Sequence, residues 1–461
     1  MVAKRYFLII CLVLLNCTLF AQGIQFSVGT WKEMLSKAKV ENKLVFVDVY
    51  TSWCGPCKKM AAEVFPLKEV GDVFNQSFVS YKIDAEKGEG IQIAKQFGVK
   101  SYPTYLFVNG DGVLVYRSGS YNAPKIFLNE AAMAIKEKYD PKPLAKWEDE
   151  YNAGKRDKEF LMGYIKKRAL VKVPNGILLD ETFPLMSSED LLNKEFLSPI
   201  MKFEPNMTFV PGGKFYNYVI DHYKEIDQII GKKDGYTLSI VEVGIQQYFN
   251  VDIIKNNKEK MLPVMLASKK QVMELQKREE IDVTLKGLVM NYYKGTQNVQ
   301  KLVPAALDYV NNGLLKLDIA AKQADDKVQY QKKRAPYLNG TADSTKIENW
   351  TSKQRTLANP KMLEVSYKLR DAAQAIYASV EDSKLLAQAI EWTKKAESYF
   401  PHFSIEAVYA GLLLKLGNKK EAAEMMMKAS GDSFIKDGDK QKLLLSNVLK
   451  IRNGEVPEQL W

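Results

Sequence analysis

Residues 43–59 read KLVFVDVYTSWCGPCKK. An apolar run as dense as a strand buried on both faces leads straight into two cysteines separated by two residues. After them KKMAAEVF has a helical composition, and Pro66 stops it. One carboxylate, Asp48, stands inside the apolar run. Burying such a group costs several kcal/mol unless it is protonated or paired. Asp48 is therefore either a strand-end aspartate bonding a turn or a buried proton acceptor within reach of the second cysteine. Cys54 falls at a helix amino terminus, where free N–H groups and the helix dipole favour a thiolate, and Lys58 and Lys59 add positive charge.

The 461-residue chain has four cysteines, and two of them lie in a segment of a different kind. Lys4 and Arg5 precede an apolar stretch from about Tyr6 to Phe20, followed by a small residue at Ala21. This pattern is that of a signal peptide over residues 1–22. The alternatives are an uncleaved anchor and lipoprotein attachment through Cys17; Asn16 stands where the latter wants a small residue. Export to the periplasm or cell envelope is the expectation, and it leaves Cys54 and Cys57 as the mature chain's only thiols. The two histidines, His222 and His402, each stand alone in sequence. No metal site and no cofactor is expected, since a zinc site needs more ligands than this. The cysteines must act on each other.

Further along come a helical piece over 67–76, a strand FVSYKID, a helix GIQIAKQFGV and a hairpin turning at NGDG inside SYPTYLFVNGDGVLVYRSG. With a terminal helix these form an α/β layer. WCGPC, an aspartate six residues before the first cysteine, and SYPT before an apolar strand together resemble the thioredoxin superfamily over about residues 24–138. The resemblance implies a thiol–disulfide oxidoreductase. In it Cys54 is the exposed nucleophile, Cys57 the buried resolving thiol and Asp48 the acceptor of the Cys57 proton. Pro103 matches the family's cis-proline, the backbone of Tyr102 pairs with a substrate strand, Trp53 covers the site, and Gly119 belongs to the same substrate-binding set.

The chain also departs from the family. Ala62 stands where many thioredoxins kink the active-site helix with proline. The strand lysine that neighbours the buried aspartate falls on Ser80, with Lys82 two residues on and on the same strand face. Glu63, Val64, Phe65 and Val70 are closer to the exported domains of thiol–disulfide interchange proteins. Pro56 has no N–H to offer the Cys54 sulfur, so the thiolate is stabilised less and the pair leans toward reductase or isomerase rather than oxidase. The implied partners are protein substrates with disulfides and a membrane-associated electron donor.

Pro141 and Pro143 mark a linker over 141–150 after a domain spanning 23–140. Beyond it helical periodicity dominates: a less regular helical domain over 151–360, then 361–461. There QAIEWTKKA (388–396) is echoed by EAAEMMMKA (421–429), a spacing that resembles tetratricopeptide helix pairs. The expected fold class is thus an α/β thioredoxin-like domain followed by a larger all-α domain, a bundle or stacked helix pairs that selects protein partners. The net charge of +11 is spread among alternating lysines and glutamates without an aromatic-basic motif, so nucleic acid is not an expected partner. The competing function is a non-enzymatic peptide-binding scaffold.

Overall fold

The computed structural model describes residues 23–202, 209–347, 350–435 and 438–461. The expected signal peptide lies outside them. No helix among the described residues is long and apolar enough to cross a membrane. The chain forms two compact units. One runs to Asp252 and includes Ala267–Gln276; the other comprises Ile253–Leu266 and Lys277–Trp461.

The first unit begins with α1 (Trp31–Val40), started by a capping box between Thr30 and Glu33. Then follow β1 (Leu44–Tyr50), α2 (Gly55–Glu63), α3 (Lys68–Ser77), β2 (Phe78–Asp84), α4 (Glu89–Gln96), β3 (Thr104–Val108), β4 (Leu114–Gly119) and α5 (Pro124–Lys138). The sheet order is β2-β1-β3-β4; β1 is parallel to β2 and antiparallel to β3, and β3 is antiparallel to β4. The β3–β4 hairpin turns at Asn109–Gly112. Asn109 Oδ1 accepts from the N–H of Asp111 and Val113, and Gly112 takes the positive φ of 80° that the turn needs.

Alternation along β1 sends its side chains to opposite faces. Val45, Val47 and Val49 join Met34 and Ala38 of α1 and Ile93 and Ala94 of α4 in one core. Phe46 faces the other way into an aromatic cluster with Phe65, Phe74, Phe107 and Phe127. Asp48 follows Phe46 on that second face, so a central strand carries a carboxylate into an aromatic core.

Residues 141–150, expected as a linker, instead carry most of α6 (Leu144–Asn152), with Pro143 as its N-cap. Proline breaks a helix interior but suits a helix start, where no intrahelical N–H bond is lost. α6 belongs to the same compact unit as the sheet. Trp147 stacks on Phe160 at 5.3 Å between ring centres, joining α6 to α7 (Lys158–Leu170). Lys167 of α7, 7% exposed, pairs with buried Glu137 of α5 and, at 2.8 Å, with Asp140. A short helix α8 (Gly176–Thr182) follows, and the rest of the unit is helical.

The second unit is all helical among its described residues. Helices Pro360–Ser379, Ser383–Tyr399, Phe403–Lys415, Lys419–Ser430 and Gly438–Asn453 pack in sequence as hairpins. Its core runs through Leu369, Ile376, Trp392, Val408, Met426 and Val448. The two echoed segments lie in the second and fourth of these helices, at equivalent places in successive pairs.

Candidate functional site

Cys54 and Cys57 are joined by a disulfide. The local sequence determines how they are held. Extended backbone at Cys54 makes it the N-cap of α2, and Pro56 occupies the first turn, where a missing N–H costs nothing. The Cys57 N–H donates to Cys54 Sγ at 3.1 Å, so a helix-terminal donor is already aimed at the sulfur that would carry charge after reduction. Cys54 is 3% exposed and Cys57 5%. The expected contrast between an exposed and a buried sulfur is thus absent in the oxidised form. The cross-link turns Cys54 inward onto the cap, and Trp53, at 65% exposure, is the residue presented to solvent.

Trp53 packs edge-on against Tyr102 at 5.9 Å, and its Nε1 donates to Glu86 at 3.0 Å. This contact brings the loop before β3 beside the disulfide. The Tyr102–Pro103 peptide bond is cis. Thr104, the next residue, pairs with Val49 of β1 and with Gly119 of β4, so Pro103 and Gly119 share one edge of the site. Ser120 N–H donates to Pro103 O at 3.0 Å and Thr104 Oγ1 to Ser101 O at 2.7 Å, fixing the loop from both ends. The backbone of Tyr102 has no hydrogen-bond partner among the described residues. An unpaired backbone segment leading into a strand can accept an added peptide strand.

Below the disulfide, strand register aligns four residues across the whole sheet. Lys82 pairs with Asp48, Asp48 with Tyr105, and Tyr105 with Ser118. Lys82 Nζ lies 3.6 Å from Asp48 Oδ2 and 4.7 Å from the centre of the Tyr50 ring, with its side chain one-third exposed. It therefore takes the place expected of the family's strand lysine. Asp48 is 2% exposed, and burial lifts its carboxyl to about 6, the nearby ammonium offsetting only part of that rise. The carboxyl thus changes charge close to neutral pH, as a proton acceptor for a thiol requires. Asp48 Oδ1, Tyr105 OH and Ser118 Oγ are all buried without a hydrogen-bond partner among the described residues. Burial and the Asp48 charge both push the Tyr105 hydroxyl up from its ordinary range.

Tyr105 and Ser118 carry no local sequence signal, because only cross-strand register places Tyr105 beside Asp48 and Ser118 beside Tyr105. Arg117 is a third omission. It is 4% exposed in β4 and donates to Phe97 O at the start of the loop that leads to Pro103. A lone arginine within VLVYRSG was the available signal. Burial first, then the neighbouring charge of Arg168, draws its guanidinium down to about 10. Among the described residues no group of three or more His, Cys, Asp or Glu side chains is placed to hold a metal. His222 stacks on Tyr218, and His402 caps helix Phe403–Lys415.

The family model of a thioredoxin-like domain matches residues 31–168. Thioredoxin-1 of Drosophila yakuba is 34% identical over 80 residues, which is 17% of this chain and 70% of that protein. The chain belongs to the thioredoxin superfamily. Thioredoxin H4 of Arabidopsis thaliana is 36% identical over 84 residues, 18% of this chain and 66% of the relative. The chain thus spans about two thirds of the length of these curated relatives. A Bacteroides thetaiotaomicron protein proposed to be a disulphide-isomerase, solved in solution, is 44% identical and covers 26% of this chain and 98% of its own, with a TM-score of 0.24. The family match and the curated relatives mark the α/β portion of the first unit as a thioredoxin-type thiol–disulfide oxidoreductase domain, and a large helical region follows it.

Proposed function

We propose that the whole chain is an exported thiol–disulfide oxidoreductase that reduces or isomerises disulfides in protein substrates. The observation that carries this reading is the Cys54–Cys57 disulfide at the start of α2, on a sheet whose central strand holds a buried Asp48 titrating near 6. In the reduced form the Cys54 thiolate attacks one sulfur of a substrate disulfide. A mixed disulfide forms and the other substrate sulfur leaves as a thiolate. Cys57 gives its proton to Asp48 and attacks Cys54 Sγ, releasing the second substrate sulfur and restoring the observed disulfide. Two electrons pass to the substrate, so a dithiol donor, associated with the membrane in an exported setting, must return them. A peptide-binding scaffold requires neither paired thiols nor a titrating carboxyl, and this favours the enzyme.

Direction is tested in cells. Acid quenching followed by thiol labelling reads the resting state of Cys54 and Cys57. A mostly reduced pair is expected for a reductase or isomerase with a working donor. A pair that remains oxidised in cells with an intact donor system would make the chain a disulfide donor instead.

A further inference from the structure

Within the first unit lies a cavity of about 310 Å³, at the lower end of the range typical of ligand sites. One wall is Gly98 and Lys100, from the loop that goes on to Tyr102 and Pro103. The others come from Tyr164 of α7, Ile177 and Leu178 of α8, and Tyr248 and Val251. Lys100 is two residues from Tyr102, so their Cα atoms are at most about 7 Å apart. The cavity and the free backbone of Tyr102 are thus two ends of one short loop.

The tyrosine and arginine groups around the cavity are already engaged. The Tyr164 hydroxyl accepts from Arg168 at 2.9 Å, and the same guanidinium donates to Pro174 O at 2.6 Å and pairs with Glu148 at 3.6 Å. Tyr151 donates to Glu181, and Tyr248 is bonded to Asp252. Beside Lys100 and Gln247, these groups leave an occupant ring face and aliphatic surface, including Ile177, a large apolar side chain that is 67% exposed. An apolar side chain fills that surface without breaking any of these bonds.

We propose that this cavity is a side-chain subsite for the polypeptide substrate, taking a bulky aliphatic or aromatic residue two or three positions from the substrate cysteine. The inference rests on the oxidoreductase reading, and it identifies part of the helical region as a determinant of substrate choice. An extended peptide paired with Tyr102 advances about 3.3 Å per residue, so two or three residues cover the span to Lys100.

The test is single-turnover reduction of synthetic peptide disulfides by the pre-reduced full-length chain. One peptide carries phenylalanine two and three residues to either side of its cysteine; the other carries alanine there. The expected rate ratio is about tenfold in favour of phenylalanine, the usual scale of an apolar pocket. Ile177→Asp, and separately Val251→Asp from the facing wall, should bring that ratio to within about twofold of unity. A wild-type ratio near unity, or a ratio unchanged in both variants, overturns the subsite while leaving the enzyme reading standing. Failure of wild type to reduce either peptide removes the enzyme reading, and the subsite with it.

Discussion

Replacing Asp48 by asparagine should stabilise the oxidised first unit at neutral pH while slowing its chemistry. The carboxyl is buried, and its pKa rises from 3.8 to about 6. Between those values the folded chain holds a proton that the unfolded chain has released. The stability linked to this group is therefore complete below pH 3.8, declines as pH rises through the window and is lost above pH 6. A shift of about two units corresponds to roughly 3 kcal/mol, or about a hundredfold in an opening equilibrium. Asparagine keeps the shape and removes the ionisation, and Lys82, one-third exposed, can hydrate once its partner is neutral. Hydrogen exchange of the oxidised full-length chain, resolved to peptides from β1 and β3 and corrected for intrinsic rates, gives the measurement. Wild-type protection there should fall by about 25-fold between pH 4.5 and 7.5, the rest of the hundredfold lying below pH 4.5. The protection of Asp48→Asn should stay level, exceeding wild type at pH 7.5 by tenfold or more. Turnover should move the opposite way, dropping by about a hundredfold, because Cys57 loses its proton acceptor. Equal or weaker protection of the variant at pH 7.5 would refute the assignment of Asp48 as a buried, destabilising carboxylate.

Other expectations concern the two units separately. Lys167→Met leaves Glu137 buried and unpaired and should cost the first unit about 3–5 kcal/mol, read as loss of exchange protection in α5 and α7. Adding Glu137→Gln should recover most of it. In the second unit, His402 is 7% exposed, its Nδ1 accepts from Ser404 N–H, and burial lowers its pKa to about 4, against the pull of Asp432 and with help from Arg370 and Arg355. The folded state thus refuses a proton that the unfolded chain takes up near 6.5, and stability is lost as pH falls from there toward 4. The loss by pH 5 should be about 2 kcal/mol in thermal unfolding, and His402→Asn should flatten that slope. Asp326, 2% exposed, accepts from the N–H groups of Lys361 and Met362 at the start of helix Pro360–Ser379. Asp326→Ala should cost about 1–3 kcal/mol, seen as a lower urea midpoint for the second unit.

The local patterns were readable in the sequence. The strand, cap and helix around Cys54 follow from an apolar run, a helix start and a proline, each acting within a few residues. β2 falls on FVSYKID as expected, and the hairpin turns where NGDG says it should. What escaped depends on distant parts of the chain. Tyr105 becomes a neighbour of Asp48, and Ser118 of Tyr105, only through strand register, and no local period encodes register between segments as far apart as β1 and β3. Pro141 and Pro143 suggest a break, yet Pro143 starts a helix whose Trp147 docks on α7, a contact that composition does not reveal. The division of the helical region near Asp252 was invisible for a similar reason. Amphipathic helices flank it on both sides, and only packing separates them.

The most direct measurement is the reduction of a disulfide in a small protein by the full-length chain, wild type against Cys54→Ser, with Cys57→Ser as the trap. Wild type should turn over with a dithiol donor and Cys54→Ser should not, while Cys57→Ser should accumulate a substrate mixed disulfide through Cys54. Activity that survives Cys54→Ser, or a mixed disulfide that forms on Cys57 instead, would contradict the assignment of Cys54 as the attacking sulfur.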